Sequence, residues 1–195
     1  MSTVPLFVDE SRQPPSRGKV GMFSLIVGES AIFTIFVVAY IYYIGRGAYG
    51  PTPRQLLEVP VFNTICLLSS SLTIVFAEHA IVRGHLRRFA AWWALTILLG
   101  LEFLAGTAIE WHKFIFEDHF TIRTNLFGTT FYSLVGLHAT HVIVGMIGLL
   151  VVLILTLSGH VNQSHAPRIQ VFALYWHFVD AVWVVVFTVV YIVGR

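Results

Sequence analysis

Charge is what this sequence is short of. Only 11% of its 195 residues are Asp, Glu, Lys or Arg, whereas a soluble domain carries about 25%. A chain this poor in charge cannot clothe a globule, which excludes a soluble enzyme and a disordered tail. The net charge is +2, with no basic run of the kind that binds a polyanion, so no nucleic-acid partner is expected. Cysteine is nearly missing: Cys66 stands alone, which rules out an intramolecular disulfide and a cysteine-based metal cage. Neither HExxH nor CxxC occurs.

What is abundant is apolar surface. Hydrophobic residues make up 56% of the chain, and the mean hydropathy is +0.78. Such a composition demands lipid as solvent. Five long apolar segments run over about 20–44, 61–82, 89–113, 129–157 and 168–193. Each exceeds the roughly 20 residues that cross a ~30 Å hydrocarbon core as a helix. Membrane strands span in about 10 residues with strict alternation, a pattern these runs do not follow. The backbone must satisfy its own hydrogen bonds in lipid, so the expected fold is all-α, a bundle of five transmembrane helices.

Residues 1–19 are expected to form a cytoplasmic tail. Pro5, Pro14 and Pro15 forbid a long helix there. Asp9 and Glu10 spoil a secretory leader, and the following apolar run is too long for one. The transmembrane domain then covers 20–195. Gly45, Gly47, Gly50, Pro51 and Pro53 break the link between the first two spans, and Pro60 marks the start of the second. With the N-terminus inside, inner segments hold Arg12, Arg17, Lys19, Arg83, Arg87, Arg88 and Arg168, against Arg46, Arg54, Lys113, Arg123 and Arg195 outside. The compact group Arg83, Arg87, Arg88 lies in a short loop, where the positive-inside rule is strongest. The N-terminus is therefore placed inside and the C-terminus outside.

Ionisable residues interrupt these spans. Glu29, Glu102 and Asp180 fall near mid-span, Glu78 and Glu110 nearer the ends, and His138, His141 and His177 also lie within. A charge at mid-bilayer costs about 3 kcal/mol on insertion scales, so each needs a compensating role. At 1.5 Å per residue, Glu29 and His177 sit about 14 Å from the inner face, Asp180 about 18 Å, Glu102 about 20 Å and His141 about 24 Å. These depths suggest Glu29 with His177 and Asp180 with His141 as pairs, with His138 a turn too far out. Asp180 is expected to face the bundle interior. The plainest role for all of them is to hold helices together by hydrogen bonds. His138 and His141 share one helix face, as do His177 and Asp180. A metal or haem site built from them is conceivable, but HxxH on a transmembrane helix is a loose pattern, and no metal is expected.

Trp92, Trp93, Trp111 and Tyr191 lie near span ends, where an interfacial aromatic belt is usual. Trp176 and Trp183 are central. Gly136, Thr140, Gly145 and Gly148 permit close helix approach on the fourth span.

Three stretches are more specific than any single residue. They are LEVPVFNT (57–64), GTTFYSLVGLHATHVIVG (128–145) and YWHFVDAVW (175–183). In this order they resemble subunit III of the haem-copper terminal oxidases, the cytochrome c oxidase type. FSLIVGESAIF (23–33) looks like the helix of that family that bears a buried, carbodiimide-reactive glutamate, here Glu29. Glu110 matches the acidic residue that closes the family's next-but-one helix. The resemblance covers 20–195, and this chain corresponds to the last five of the seven helices common in the family. The two absent helices form one wall of a lipid-holding cleft. Glu78 stands where histidine is frequent, and Glu102 and Thr107 stand where a non-acidic residue and glutamine are common.

The resemblance implies a partner protein rather than a catalyst. Catalytic residues and resident metals are expected to be none, with haem and copper in partner subunits and phospholipid as a ligand. The expected partners are oxidase subunit I above all, then subunit II and other respiratory-complex chains. The complex passes electrons to oxygen, forms water and translocates protons; this chain would support the stability, lipid binding and proton uptake of subunit I. Five-helix members imply a prokaryotic plasma membrane. Two other functions compete: a helper of a nitric oxide reductase, which shares the five-helix form, and an autonomous proton-coupled transporter, against which stands the lack of an inverted repeat.

Overall fold

The structure, a computed structural model, describes residues 17–44, 57 and 59–194. The proline-containing tail and the glycine- and proline-rich link 45–56 lie outside the described residues. Five helices are long and apolar enough to cross a membrane, and no strand occurs among the described residues. They are α1 (Arg17–Tyr43), α2 (Val61–Val82), α3 (Leu86–Phe116), α4 (Leu126–Leu157) and α5 (Ala166–Phe187). A 3₁₀ turn, Gln163–His165, leads into α5, and one π-helical turn, Thr188–Val193, ends it. Arg17, Gly18 and Lys19 form the first turn of α1 rather than the end of a tail.

The ends have local causes. Gly84 takes φ +75° after α2, and Gly159 takes φ +76° after α4. In that left-handed conformation the following N–H reaches back, His85 N to Ala80 O and His160 N to Leu155 O, each at 2.9 Å. This is the six-to-one closure that glycine favours at helix C-termini. Asn125 caps α4 by accepting from Gly128 N at 2.7 Å. Pro60 sits one position ahead of α2, where it interrupts no helical bond.

α2 and α3 form a tight antiparallel hairpin, α3 leans on α4, and α5 packs against α1, α2 and α4. Trp176 of α5 is the hub. It is fully buried, its ring fills the space left by Gly100 on α3 and Gly145 on α4, and its Nε1 donates to Ser70 Oγ on α2 at 2.8 Å. A Cβ on Gly145 would stand 2.9 Å from that ring, and one on Gly148 would overlap Phe172. Small residues on α4 thus let bulky rings on α5 approach its backbone.

α1 is marginal to this core. Only Phe33 and Tyr40 of its residues are buried, while Phe23 and Ile35 are each about two-thirds exposed. Its outer flank is apolar and faces whatever surrounds the bundle. The aromatic belt is only partly as expected. Trp92 is exposed, but Trp93 is fully buried and donates to Leu149 O at 2.9 Å, and Tyr191 is buried as well. α3 begins at Leu86, which carries Trp93 two turns inside the bundle, where its N–H needs an acceptor.

Candidate functional site

The polar side chains of the spans resolve into separate contacts, each between two or three helices. At the α1–α4 contact, His141 Nε2 stands 3.1 Å from Glu29 Oε2, with both side chains part-buried. His141 Nδ1 is 2.8 Å from Leu137 O on its own helix. Phe33 covers the imidazole, with ring centres 5.0 Å apart, and Tyr175 donates to the His141 carbonyl at 3.1 Å.

A second contact joins α2 and α5. Ser71 Oγ donates to Asp180 Oδ2 and stands 3.1 Å from His177 Nδ1. A serine hydroxyl has one proton. Ser71 Oγ therefore bridges the two α5 side chains, Asp180 and His177, through its one proton and its lone pairs. Asp180 is only 3% exposed and faces the interior as expected; its Oδ1 has no partner among the described residues.

The expected pairing of Asp180 with His141, and of Glu29 with His177, is therefore crossed over: Glu29 meets His141, and Asp180 meets Ser71 and, through it, His177. Depth counted from span ends misled because helix ends are not at one level. Gly18, near the start of α1, lies against Val171, and Gly148 of α4 lies against Phe172. Beyond Gly148, α4 runs on to Leu157, about 13 Å further. Counting from residue 157 thus set His141 too deep relative to Glu29. Ser71 was missed because a serine on a transmembrane helix carries no signal of its own; it usually bonds its own backbone.

His138 is the third case. It is 1% exposed, and neither ring nitrogen has a partner among the described residues. Its ring is stacked on Trp183 at 5.0 Å and meets Phe103 edge-on at 5.9 Å. Trp183 Nε1 donates to Thr64 Oγ1 at 3.2 Å. At the far end of the bundle Tyr191 OH donates to Glu110, 3.3 and 3.4 Å from its two oxygens. Glu102 on α3 packs beside Cys66 on α2.

His138 and His141 share a face in sequence spacing but serve different neighbours, one aromatic and one acidic. Among the described residues no three His, Cys, Asp or Glu side chains converge as a metal site would require. An apolar groove of about 300 Å³ opens between α1 and α5 next to Glu29, walled by Ser30, Phe33, Phe178 and Val182.

Fold and contacts together define a polytopic helical membrane protein whose buried polar groups join helix to helix. Residues 16–195 match the family model of cytochrome c oxidase subunit III. The chain belongs to that family. It is 37% identical to cytochrome c oxidase subunit 3 of Alkalihalophilus pseudofirmus over 177 residues, 90% of this chain and 86% of that one. The subunit 3 of Bacillus subtilis is 33% identical over the same shares. That of Rattus norvegicus is 35% identical over 89% of this chain and 68% of its own length.

Proposed function

We propose that this chain is the non-redox subunit III of a haem-copper respiratory oxidase in a prokaryotic plasma membrane. It binds beside subunit I, with subunit II in the same complex, and haem and copper reside in those partners. The family match across all five spans carries this reading. Most of the polar side chains agree with it: Glu29, His141, Ser71, His177, Asp180 and Glu110 make helix-to-helix contacts, and among the described residues no repeated pair of broken helices occurs as a transporter would need. α1 offers an apolar flank for a helical neighbour, and the groove beside Glu29 has the lining to take an acyl chain. In this reading the Glu29–His141 contact holds α1 in place at that groove, and so supports subunit I indirectly.

The test is purification of the chain from its native membrane under mild detergent. Haem-bearing and copper-bearing chains should co-purify in constant proportion and reduce oxygen. A haem-only partner that reduces nitric oxide would point to the reductase helper instead, and a lone chain would leave the oxidase reading without support. We further propose that the N-terminus lies inside, on the side of the Arg83, Arg87 and Arg88 loop. Single cysteines at His85 and Arg123 test this, since native Cys66 is buried: an impermeant thiol reagent in the medium should label position 123 and spare position 85.

A further inference from the structure

We propose that the α2–α3 hairpin binds the phosphate headgroup of an anionic phospholipid. A recess of about 160 Å³ lies at the tip of this hairpin, and its lining includes His79, Arg83, His85 and Arg88 together with Phe76 and Trp92. Four potential cations thus meet around one small opening. Arg83, His85 and Arg88 make no side-chain hydrogen bond or ion pair among the described residues. The first turn of α3 carries no acid. Glu78, the acid nearest in sequence, is not part of the lining. His79 Nδ1 is 2.8 Å from Val75 O, which leaves Nε2 free for the recess.

Arginine presents a planar fork of donors that fits phosphate oxygens in pairs. What distinguishes a lipid from a free anion is the floor of the recess. Phe76 and Trp92 lie in contact, ring centres 4.9 Å apart. One turn deeper on the same helix faces are Leu72 and Leu95, both exposed on the flank of the bundle. Basic groups at the water side, an aromatic pair at the interface and apolar side chains below reproduce the order of a phospholipid from headgroup to acyl chain. A soluble anion would use only the first of these. Basic pockets between transmembrane helices at one end of a bundle are the usual sites for anionic headgroups.

The chain, extracted in the assembly it forms, should retain phosphatidylglycerol in native mass spectrometry. Arg83→Gln with Arg88→Gln should lower that retention about tenfold. Arg17→Gln with Lys19→Gln, which removes the same charge at the same end of the bundle, should leave it nearly unchanged. Equal retention in both variants, or equal loss in both, overturns the proposal. So does equal rebinding of phosphatidylcholine by delipidated assembly, or displacement of the lipid by millimolar inorganic phosphate, which would reassign the recess to a free anion. If the double variant does not assemble, a phosphatidylglycerol with a photoreactive headgroup is cross-linked to the wild-type assembly. Label should fall within residues 76–92, and label found only elsewhere refutes the site.

Discussion

Glu29 of α1 meets His141 of α4 through one side-chain contact, Oε2 to Nε2. His141 Nδ1 is committed to Leu137 O, and Nε2 faces Glu29 Oε2 at 3.1 Å. A ring nitrogen beside a backbone carbonyl must donate, so Nδ1 carries hydrogen. The Nε2–Oε2 contact ties the two helices together at a part-buried site. The pair also matters mechanically, because α1 buries so little else.

Glu29→Gln keeps a donor for His141 Nε2, whereas Glu29→Leu leaves that nitrogen without one. Assembly and oxygen reduction should survive in the glutamine variant. The leucine variant should lose about 1–3 kcal/mol of stability and shed α1 contacts first, seen as faster proteolysis near Arg17 and faster decay of activity during turnover. Loss of all oxygen reduction in an assembled glutamine variant would show that Glu29 does more than hold α1.

Ser71 serves two groups at once. Ser71→Ala takes the partner from both Asp180 Oδ2 and His177 Nδ1. A single interhelical hydrogen bond in a membrane protein is worth about 0.6 kcal/mol on average. This substitution should cost clearly more, about 1–3 kcal/mol, because the buried Asp180 loses its Ser71 donor and His177 loses its partner in the same step. Asp180→Asn keeps an acceptor for Ser71 and should cost less. Thermal unfolding of the assembled protein ranks the two, and a harmless Ser71→Ala would contradict the contact.

Glycine spacing gives a matched pair of tests. Gly148→Ala drives a methyl group into Phe172, while Gly21 on α1 has nothing within 4 Å of an added Cβ. Overpacking of this kind costs about 1–3 kcal/mol. In the open position alanine should instead be neutral or gain about 0.5–1 kcal/mol from its helix propensity. Equal melting temperatures for the two variants would mean that α4 and α5 are less closely packed than described.

The five helices were legible because lipid leaves the backbone few options, and run length alone reveals a spanning helix. The second span, expected at 61–82, is α2 residue for residue. Others begin earlier than expected, as with α3, which spans Leu86–Phe116 against an expected 89–113, and α4, which begins at Leu126 against an expected 129. Hydropathy marks the apolar slab, and a helix continues into water on polar residues such as Arg87 and Arg88. The same mismatch hid the side-chain pairing. Counting assumes a common starting plane, and α4 overshoots it. The family resemblance pointed to Glu29 and Glu110, and mid-span position pointed to Asp180, without saying what each touches. Ser71 and the isolation of His138 had no signature in the sequence at all.

His138 supports a prediction of opposite sign to its neighbour. A buried polar group without a partner costs about 1–3 kcal/mol relative to a bonded one. His138 has two such nitrogens, offset in part by its stacking on Trp183, worth about 0.5–1.5 kcal/mol beyond burial. Leucine is close in volume and carries no polar atom. His138→Leu should therefore leave stability unchanged or raise it by up to about 2 kcal/mol. His141→Leu, three residues away, strands Glu29 and should lower stability by about 1–3 kcal/mol. Unfolding of both variants in the assembled protein decides the matter in one comparison. A loss for His138→Leu as large as that for His141→Leu would mean that its nitrogens bind something, an internal water being the simplest choice. Oxygen reduction by the His138→Leu assembly should equal that of the unmodified one, since the ring is enclosed by Trp183 and Phe103 and is 1% exposed, too buried to touch a neighbouring subunit.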